Sequence, residues 1–384
     1  MRFEHSDDVA FREQLVAFLD EHAPVEVRDG NEGPHDLLPD WARRWQATLF
    51  DHGWMVPGNP PHLGGRDATL SQTMVYLEEL AARDLPRSLH FAGYAIVAPT
   101  LLEFGTPEQQ ALAPGALRGD TVWCVGMSEP DAGSDLAALR TRAEVRPDGF
   151  VVTGQKIWTS YALIADMCLC YVRTGAEQPK HAGISALLID MGTPGVDVRP
   201  LAHLGGTAEF AEVFLDQVEV PRDHLVGELG GGWAIVNSAL GHERSVMWLE
   251  AVVRCEKVLG DVVELCRLTR ADRNPIVRRR VAEFYERVAS LRALGFASLA
   301  GGGVRALLMK VATSELYTEL LELGCDLLGP VGAVTEPDRV PDGRPWAAHF
   351  LRGLAGTIAG GTSEIQRDIV ARHGLGLPRR RSQG

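Results

Sequence analysis

Three short stretches of this chain set side chains and backbone in patterns that could work on a ligand. CVGMSEPDAGSD, residues 124–135, leaves an apolar run and enters a loop dense in small residues and hydroxyls. Its main chain can be approached closely, so Met127 and Ser128 could face a flat ring while Gly133 and Ser134 let a second ligand pass. An ordinary loop has the same composition. GQKIWTS, residues 154–160, sets an indole beside two hydroxyls, an apolar wall with hydrogen-bond donors. A tryptophan of plain core reads the same way. GTIAGGTSEIQRDIV, residues 356–370, is a glycine-rich turn running into an amphipathic helix. Ser363 opens a capping box with Gln366, Ile365, Ile369 and Val370 give the helix a buried face, and Gly374 ends it. Free N–H groups and a positive helix end suit a pyrophosphate or polar ring atoms, yet the turn itself holds nothing that takes a proton. There is no G-x-G-x-x-G after a strand and no G-x-x-x-x-G-K-[ST], so neither a Rossmann site nor a P-loop is indicated.

The elements that must position these stretches fall into three parts. Residues 1–118 read as all-α: apolar residues recur at three and four, as in LSQTMVYLEELAA, and Phe11, Leu15, Phe18 and Leu19 share one helical face. Residues 119–228 change to short β-branched and aromatic runs between turns, with Asp148-Gly149 as a hairpin signal, and predict a small, mostly antiparallel β domain. From 229 to 384 the helical period returns over 233–266, 276–299, 304–328 and 363–373, which predicts a four-helix bundle. GGG at 301–303 predicts a break or kink. The fold class expected is α+β in that order.

The chain has 384 residues, beyond the ~250–300 at which single cores stop growing, which predicts more than one domain. Hydrophobic residues at 45% and charged ones at 23% are ordinary for a globular chain. A formal net charge of -13 argues against general nucleic-acid binding. No apolar run reaches ~18 residues, so no membrane span is expected, and the N-terminus lacks the pattern of a signal peptide. Six cysteines without paired spacing read as buried, reduced thiols, and a cytoplasmic enzyme is expected.

Taken together and in order, SEPDAGSD, the strand with Lys156-Ile157-Trp158-Thr159-Ser160, and GGTSEIQR resemble the signatures of the acyl-CoA dehydrogenase family, and the α, β, α order resembles it over essentially the whole chain. The resemblance implies FAD held between the β domain and the C-terminal bundle, usually with help from a neighbouring subunit. Val125, Met127, Ser128, Trp158 and Ser160 are then expected to line the isoalloxazine ring, and Thr362 and Glu364 to meet the cofactor from the turn. Arg270 is the nearest candidate for a pyrophosphate contact, and Ser134, Gly360 and Gly361 are expected on the substrate side. The implied reaction is α,β-dehydrogenation of an acyl-CoA to a trans-2-enoyl-CoA, with electrons passing to an electron-transfer flavoprotein.

That reaction requires a base, and where common members of the family place a glutamate before the G-T of the turn, this chain has Gly360. A minority of the family supplies the glutamate from a bundle helix, immediately before an arginine, and ALGHERSVMWLE matches with Glu243 and Arg244. The period agrees: Val236, Leu240 and Val246 place Glu243 on an apolar stripe, where burial raises a carboxyl pKa and makes it a better base. A structural ion pair within the bundle is the alternative for Glu243. Arg244 is expected to position the glutamate. Gly241 replaces a carboxylate that touches the pantetheine arm in better-known members, and Asp326 and Pro330 depart from the family at the adenine end. The glycine at 360 opens space, which points to a bulky, branched or ring-bearing acyl group. Two other readings stand beside the dehydrogenase: a non-catalytic partner subunit of a heteromer, and a flavin oxidase or tailoring enzyme on the same fold acting on a carrier-protein thioester or a non-thioester substrate. A homo-oligomer, as a tetramer, or a heteromer with a second such chain is expected.

Overall fold

The computed structural model describes residues 6–25, 38–88, 90–175, 179–205, 209–299 and 304–378; for 242–249, 298, 299 and 304–306 it describes the backbone alone. The described residues form two compact units, one holding those up to 203 and 209–243, the other 204, 205 and 244 onward.

The first unit begins with helices α1 (Ser6–His22), α2 (Asp40–Asp51) and α3 (Leu70–Ala82). Phe11, Leu15, Phe18 and Leu19 are all buried, as their spacing requires. Arg12 of α1 reaches Glu78 and Glu79 of α3, and a Thr69–Gln72 capping box starts α3. A π turn, Gly93–Val97, leads into α4 (Ala98–Phe104). Pro99 explains it: proline has no N–H to close an α turn onto Ala95, and its ring crowds that carbonyl, so the preceding turn widens. Helices α5 (Pro107–Gln110) and α6 (Ala113–Arg118) complete the helical part.

Eight strands follow: β1 (Trp123–Gly126), β2 (Arg142–Val145), β3 (Gly149–Ser160), β4 (Met167–Arg173), β5 (Ile184–Asp190), β6 (Val196–Leu201), β7 (Phe210–Pro221) and β8 (Leu225–Val226). They form one sheet in the order β6-β7-β3-β2-β4-β5-β8, with β1 beside β4. Only β1 and β2 run parallel to β4; the other pairings are antiparallel. The hairpin between β2 and β3 closes through Arg146 N–H to Gly149 O at 2.9 Å. Glycine is needed at 149 because a Cβ there would lie 2.2 Å from the Val220 carbonyl of β7. Phe150, Val152, Cys168, Cys170, Leu187, Ile189, Val213 and Leu215 fill the core between the strands.

Helix α7 (Gly232–Leu268) begins in the first unit and passes into the second at residue 244. There it packs on α8 (Pro275–Leu299) and α9 (Val304–Leu328): Glu256 pairs with Arg292 at 2.9 Å and Cys255 Sγ lies 3.7 Å from the Thr313 carbonyl. A further helix, α10 (Trp346–Gly353), was not expected from the sequence. It is too short for a clear period, and Trp346 is what seats it, its ring so close to Gly324 that a Cβ there would lie 2.1 Å away. Helix α11 (Ser363–Ile369) ends the bundle and runs into a π turn closing at Gly374. The GGG run expected to break the helices lies outside the described residues. Five cysteines are buried and reduced as expected, whereas Cys325 is only half-buried. Among the described residues no helix is long and apolar enough to cross a membrane.

Candidate active site

Strand β1 ends at Gly126 and delivers Met127 and Ser128, both half-buried, into the SEPDAGSD loop; Val125, on β1 itself, is half-buried too. The loop is held by a buried ion pair. Lys156 Nζ lies 2.8 Å from Glu129 Oε1, the two side chains being 1% and 8% exposed. Nζ also donates to the Met127 carbonyl at 3.2 Å. Glu129 accepts from Thr141 N–H at 2.9 Å and Arg140 N–H at 2.6 Å, so one carboxylate ties the start of the loop to its end. Burial pushes the Glu129 carboxyl up, but the Lys156 charge and the three hydrogen bonds overcome this and hold it below its ordinary range. Arg173 grips the middle of the loop, donating to the carbonyls of Ala137, Leu139 and Lys180.

Beside this loop β3 carries a bulge. Lys156 pairs with Val213 and Thr159 with Ala211, so three steps on β3 face two on β7. Trp158 takes the left-handed conformation, φ 59°, which costs a side-chain-bearing residue about 1–2 kcal/mol. The bulge turns the indole outward: Trp158 is 52% exposed, with its inner edge against Phe210 at 5.8 Å between centroids. A tryptophan of plain core would be buried, and this one is not. Ser160 is half-buried, and the buried Thr159 hydroxyl between them finds no partner among the described residues. A flat, exposed indole beside hydroxyls suits one face of an aromatic ring with a polar edge, so these residues fit a flavin. Ser134 is exposed, next to Asp135, which pairs with Lys180 at 2.8 Å. Nothing lies within 4 Å of where a Gly133 Cβ would stand, so packing does not force that glycine.

In the second unit the turn before α11 is built from Gly360 and Gly361, at φ 64° and 91°. Gln366 Nε2 donates to the Gly360 carbonyl at 2.8 Å and Lys310 Nζ of α9 to the Gly361 carbonyl at 2.7 Å. With both carbonyls taken, the N–H groups on the same peptide planes point the opposite way. The cap differs from the sequence expectation: Thr362, not Ser363, is the N-cap, its hydroxyl accepting from Ile365 N–H at 3.3 Å. Ser363 is instead buried as the first helical residue, and Gln366 reaches back to a carbonyl rather than to the cap's N–H. Glu364 is exposed in the first turn, where its own N–H and the Thr362 hydroxyl hold its carboxyl below the ordinary range.

The backbone of Glu243 and Arg244 is helical within α7, and their side chains lie outside the described residues. Gly241, two residues before Glu243, has open space where a Cβ would be. Arg270 is exposed in the turn between α7 and α8, left-handed at φ 60°. Asp326 pairs with Arg280 at 3.2 Å on the bundle surface. Sequence reasoning gave no role to Glu129, Lys156 or Lys310, and gave Gln366 only a capping role. For Lys156 a signal was available: a lysine on the same alternating face of its strand as Phe150 and Val152.

The chain matches the family models for the acyl-CoA dehydrogenase N-terminal domain over residues 5–120, the middle domain over 124–218 and the C-terminal domain over 230–375. It is similar to the acyl-CoA dehydrogenase IpdE1 of Mycobacterium tuberculosis, 37% identical over 379 residues, covering 96% of this chain and 97% of that one. Among solved structures it resembles the Tcur3481-Tcur3483 steroid ACAD, with TM-score 0.86 and 31% identity over 98% of this chain and 99% of that one. The ChsE4-ChsE5 complex from Mycobacterium tuberculosis gives TM-score 0.84 and 29% identity over 99% and 100%. Sequence and architecture agree throughout, and the chain belongs to the acyl-CoA dehydrogenase family, a family of FAD-dependent oxidoreductases.

Proposed function

We propose that this chain is an FAD-dependent acyl-CoA dehydrogenase that introduces a trans double bond between Cα and Cβ of a bulky, ring-bearing acyl thioester. The domains assigned to it are 1–118, 119–228 and 229–384. The observation that carries the reading is the outward-turned Trp158 in its left-handed bulge, beside Ser160 and the half-buried Val125, Met127 and Ser128. A strained, exposed indole has no use in a core and suits a ring stacked against it. These five residues are assigned to the isoalloxazine ring, Thr362, Glu364 and Arg270 to the rest of the cofactor, and Ser134, Gly360 and Gly361 to the substrate side.

The flavin, when bound, supplies the acceptor for the hydride that leaves the β-carbon. The chain's own part is the proton: Glu243 is assigned as the base that takes it from the α-carbon, and Arg244 as the residue that positions the glutamate. Gly360 is consistent with a base supplied elsewhere, because no side chain at that position can accept a proton. The ring-bearing substrate is supported by the open space at Gly241, by the absence of a side chain at Gly360 and by the chain's similarity to a steroid ACAD. Electron transfer to an electron-transfer flavoprotein and a cytoplasmic location complete the proposal.

A second reading has an observation of its own. Two of the similar solved structures, the Tcur3481-Tcur3483 ACAD and the ChsE4-ChsE5 complex, pair two chains, so this chain is assigned either to a homotetramer or to a heteromer with a second chain of the family. The test is to purify the chain alone, record its visible spectrum and titrate it anaerobically with straight-chain, branched and ring-bearing acyl-CoAs, alongside Glu243→Gln. Bleaching of bound flavin by ring-bearing substrates, reduced about 10³-fold or more in rate in the variant, is the expected outcome. A colourless protein that gains flavin only with a second chain would select the heteromer. Oxygen consumption during turnover would select an oxidase, and a flavin that bleaches equally in Glu243→Gln would remove the assignment of the base.

A further inference from the structure

We infer that Glu129 and Lys156 are positioning residues: their buried ion pair sets the left-handed Trp158 and the start of the SEPDAGSD loop as one rigid piece. The consequence drawn for the cofactor rests on the flavin reading above; the geometry does not.

A buried ion pair is poor as a source of stability, because desolvating both charges offsets most of their attraction. This one is placed where it can do something else. Lys156 crosses the core beside Gly126, Cys168, Cys170, Ile189 and Val213 and ends on Glu129 and the Met127 carbonyl. The next residue, Ile157, donates its N–H to the Ser128 carbonyl at 2.9 Å. Two consecutive residues of β3 are thus stapled to three consecutive residues of the loop, immediately before the strained tryptophan. On the far side, Thr159 and Ser160 return to register with β7, and Tyr161 N–H reaches the Glu209 carbonyl at 2.7 Å. A left-handed residue with a side chain persists only where its surroundings over-determine it, and here both flanks are fixed. Through Arg140 and Thr141 the same carboxylate closes the loop's other end, so Met127, Ser128 and Trp158 cannot move independently. Without the pair, the bulge would be free to slip and return the indole towards the sheet.

The test uses the full chain with its eight tryptophans replaced by 5-fluorotryptophan, the Trp158 fluorine resonance being assigned through Trp158→Phe. Two variants are compared with the parent: Glu129→Gln with Lys156→Met, which removes both charges together, and Glu129→Asp, which keeps the charge but is one methylene too short to hold lysine and both N–H groups. In both, the Trp158 line is expected to shift or broaden while the other tryptophan lines stay in place. The affinity of the apoprotein for FAD, followed by fluorescence, is expected to fall about tenfold or more in the double variant. Lys156→Arg, with charge and donors retained, is expected to restore most of that affinity. An unmoved Trp158 line in either folded variant overturns the inference. If the parent takes up no FAD either alone or with a second chain of the family, it is the flavin reading that fails, and the fluorine line still decides the role of the pair.

Discussion

Two places in this molecule hold backbone in the left-handed region beside a proposed ligand face, and they do so by opposite means. At 360–361 no side chain is wanted, so two glycines occupy φ 64° and 91° without steric strain, and neutral or half-buried groups, Gln366 and Lys310, steady the carbonyls. At 158 an indole is wanted, so glycine is ruled out, the strain stays in the chain, and a fully buried ion pair stands next to it. The contrast separates two ways to build a site. Where only backbone N–H groups are needed, the residue type itself removes the strain; where a side chain is needed, neighbouring structure must hold it.

The largest expected effect breaks the comparison at its anchors. Lys156→Met alone leaves the Glu129 carboxylate buried without a counter-charge, and the expected loss is about 3–5 kcal/mol of unfolding free energy in urea. Lys310→Met removes the donor to the Gly361 carbonyl from a half-buried position, and the expected loss there is about 1 kcal/mol. Equal losses would mean that the two clamps are alike after all. Acid sharpens the same contrast. The Glu129 pKa is lower in the folded protein than its ordinary 4.5. The stability it contributes is therefore fully present above 4.5 and is lost as pH falls towards the folded value. Below pH 4.5, stability of the parent should fall more steeply than that of the Glu129→Gln, Lys156→Met double variant. Parallel acid limbs in urea titrations would remove Glu129 from that account.

Gly361→Ala comes next. Its φ of 91° disfavours any Cβ, and the new atom would lie 2.4 Å from Gln366 Nε2, forcing that side chain off the Gly360 carbonyl. The expected cost is about 1–3 kcal/mol, with weaker FAD binding in the same variant. A loss under about 0.5 kcal/mol would show that the turn relaxes into another conformation without penalty.

How far the sequence carried these conclusions differs between the two places. Helical period and β-branched alternation place the helices and strands, because each buries one face and the pattern records which. The glycines of the turn are visible as glycines, and Trp158 as a tryptophan beside hydroxyls. What the sequence does not display is that Trp158 sits in a bulge: that depends on a one-residue mismatch between β3 and β7, a property of two strands and of neither alone. The pairing of Glu129 with Lys156 spans 27 residues and has no local period to reveal it. The cap was misplaced by one residue for a related reason. Thr362 and Ser363 are both good N-caps, and only the left-handed backbone of the two preceding glycines decides which one leaves the helix.

The smallest expected change in stability comes from removing the strained side chain itself. Trp158→Gly exchanges an indole that is half in solvent for the one residue that takes φ 59° freely. The lost packing against Phe210 and the relieved backbone strain oppose each other, and glycine also adds entropy to the unfolded chain. The sum should lie within about 1 kcal/mol of zero, while FAD affinity falls about tenfold or more. Stability kept with cofactor lost is the signature of a residue held in place for its ligand. If Trp158→Gly instead costs as much as Lys156→Met, the indole is part of the core after all. The ion pair would then be supporting packing and not presentation, and the difference between the two left-handed sites would reduce to one of burial.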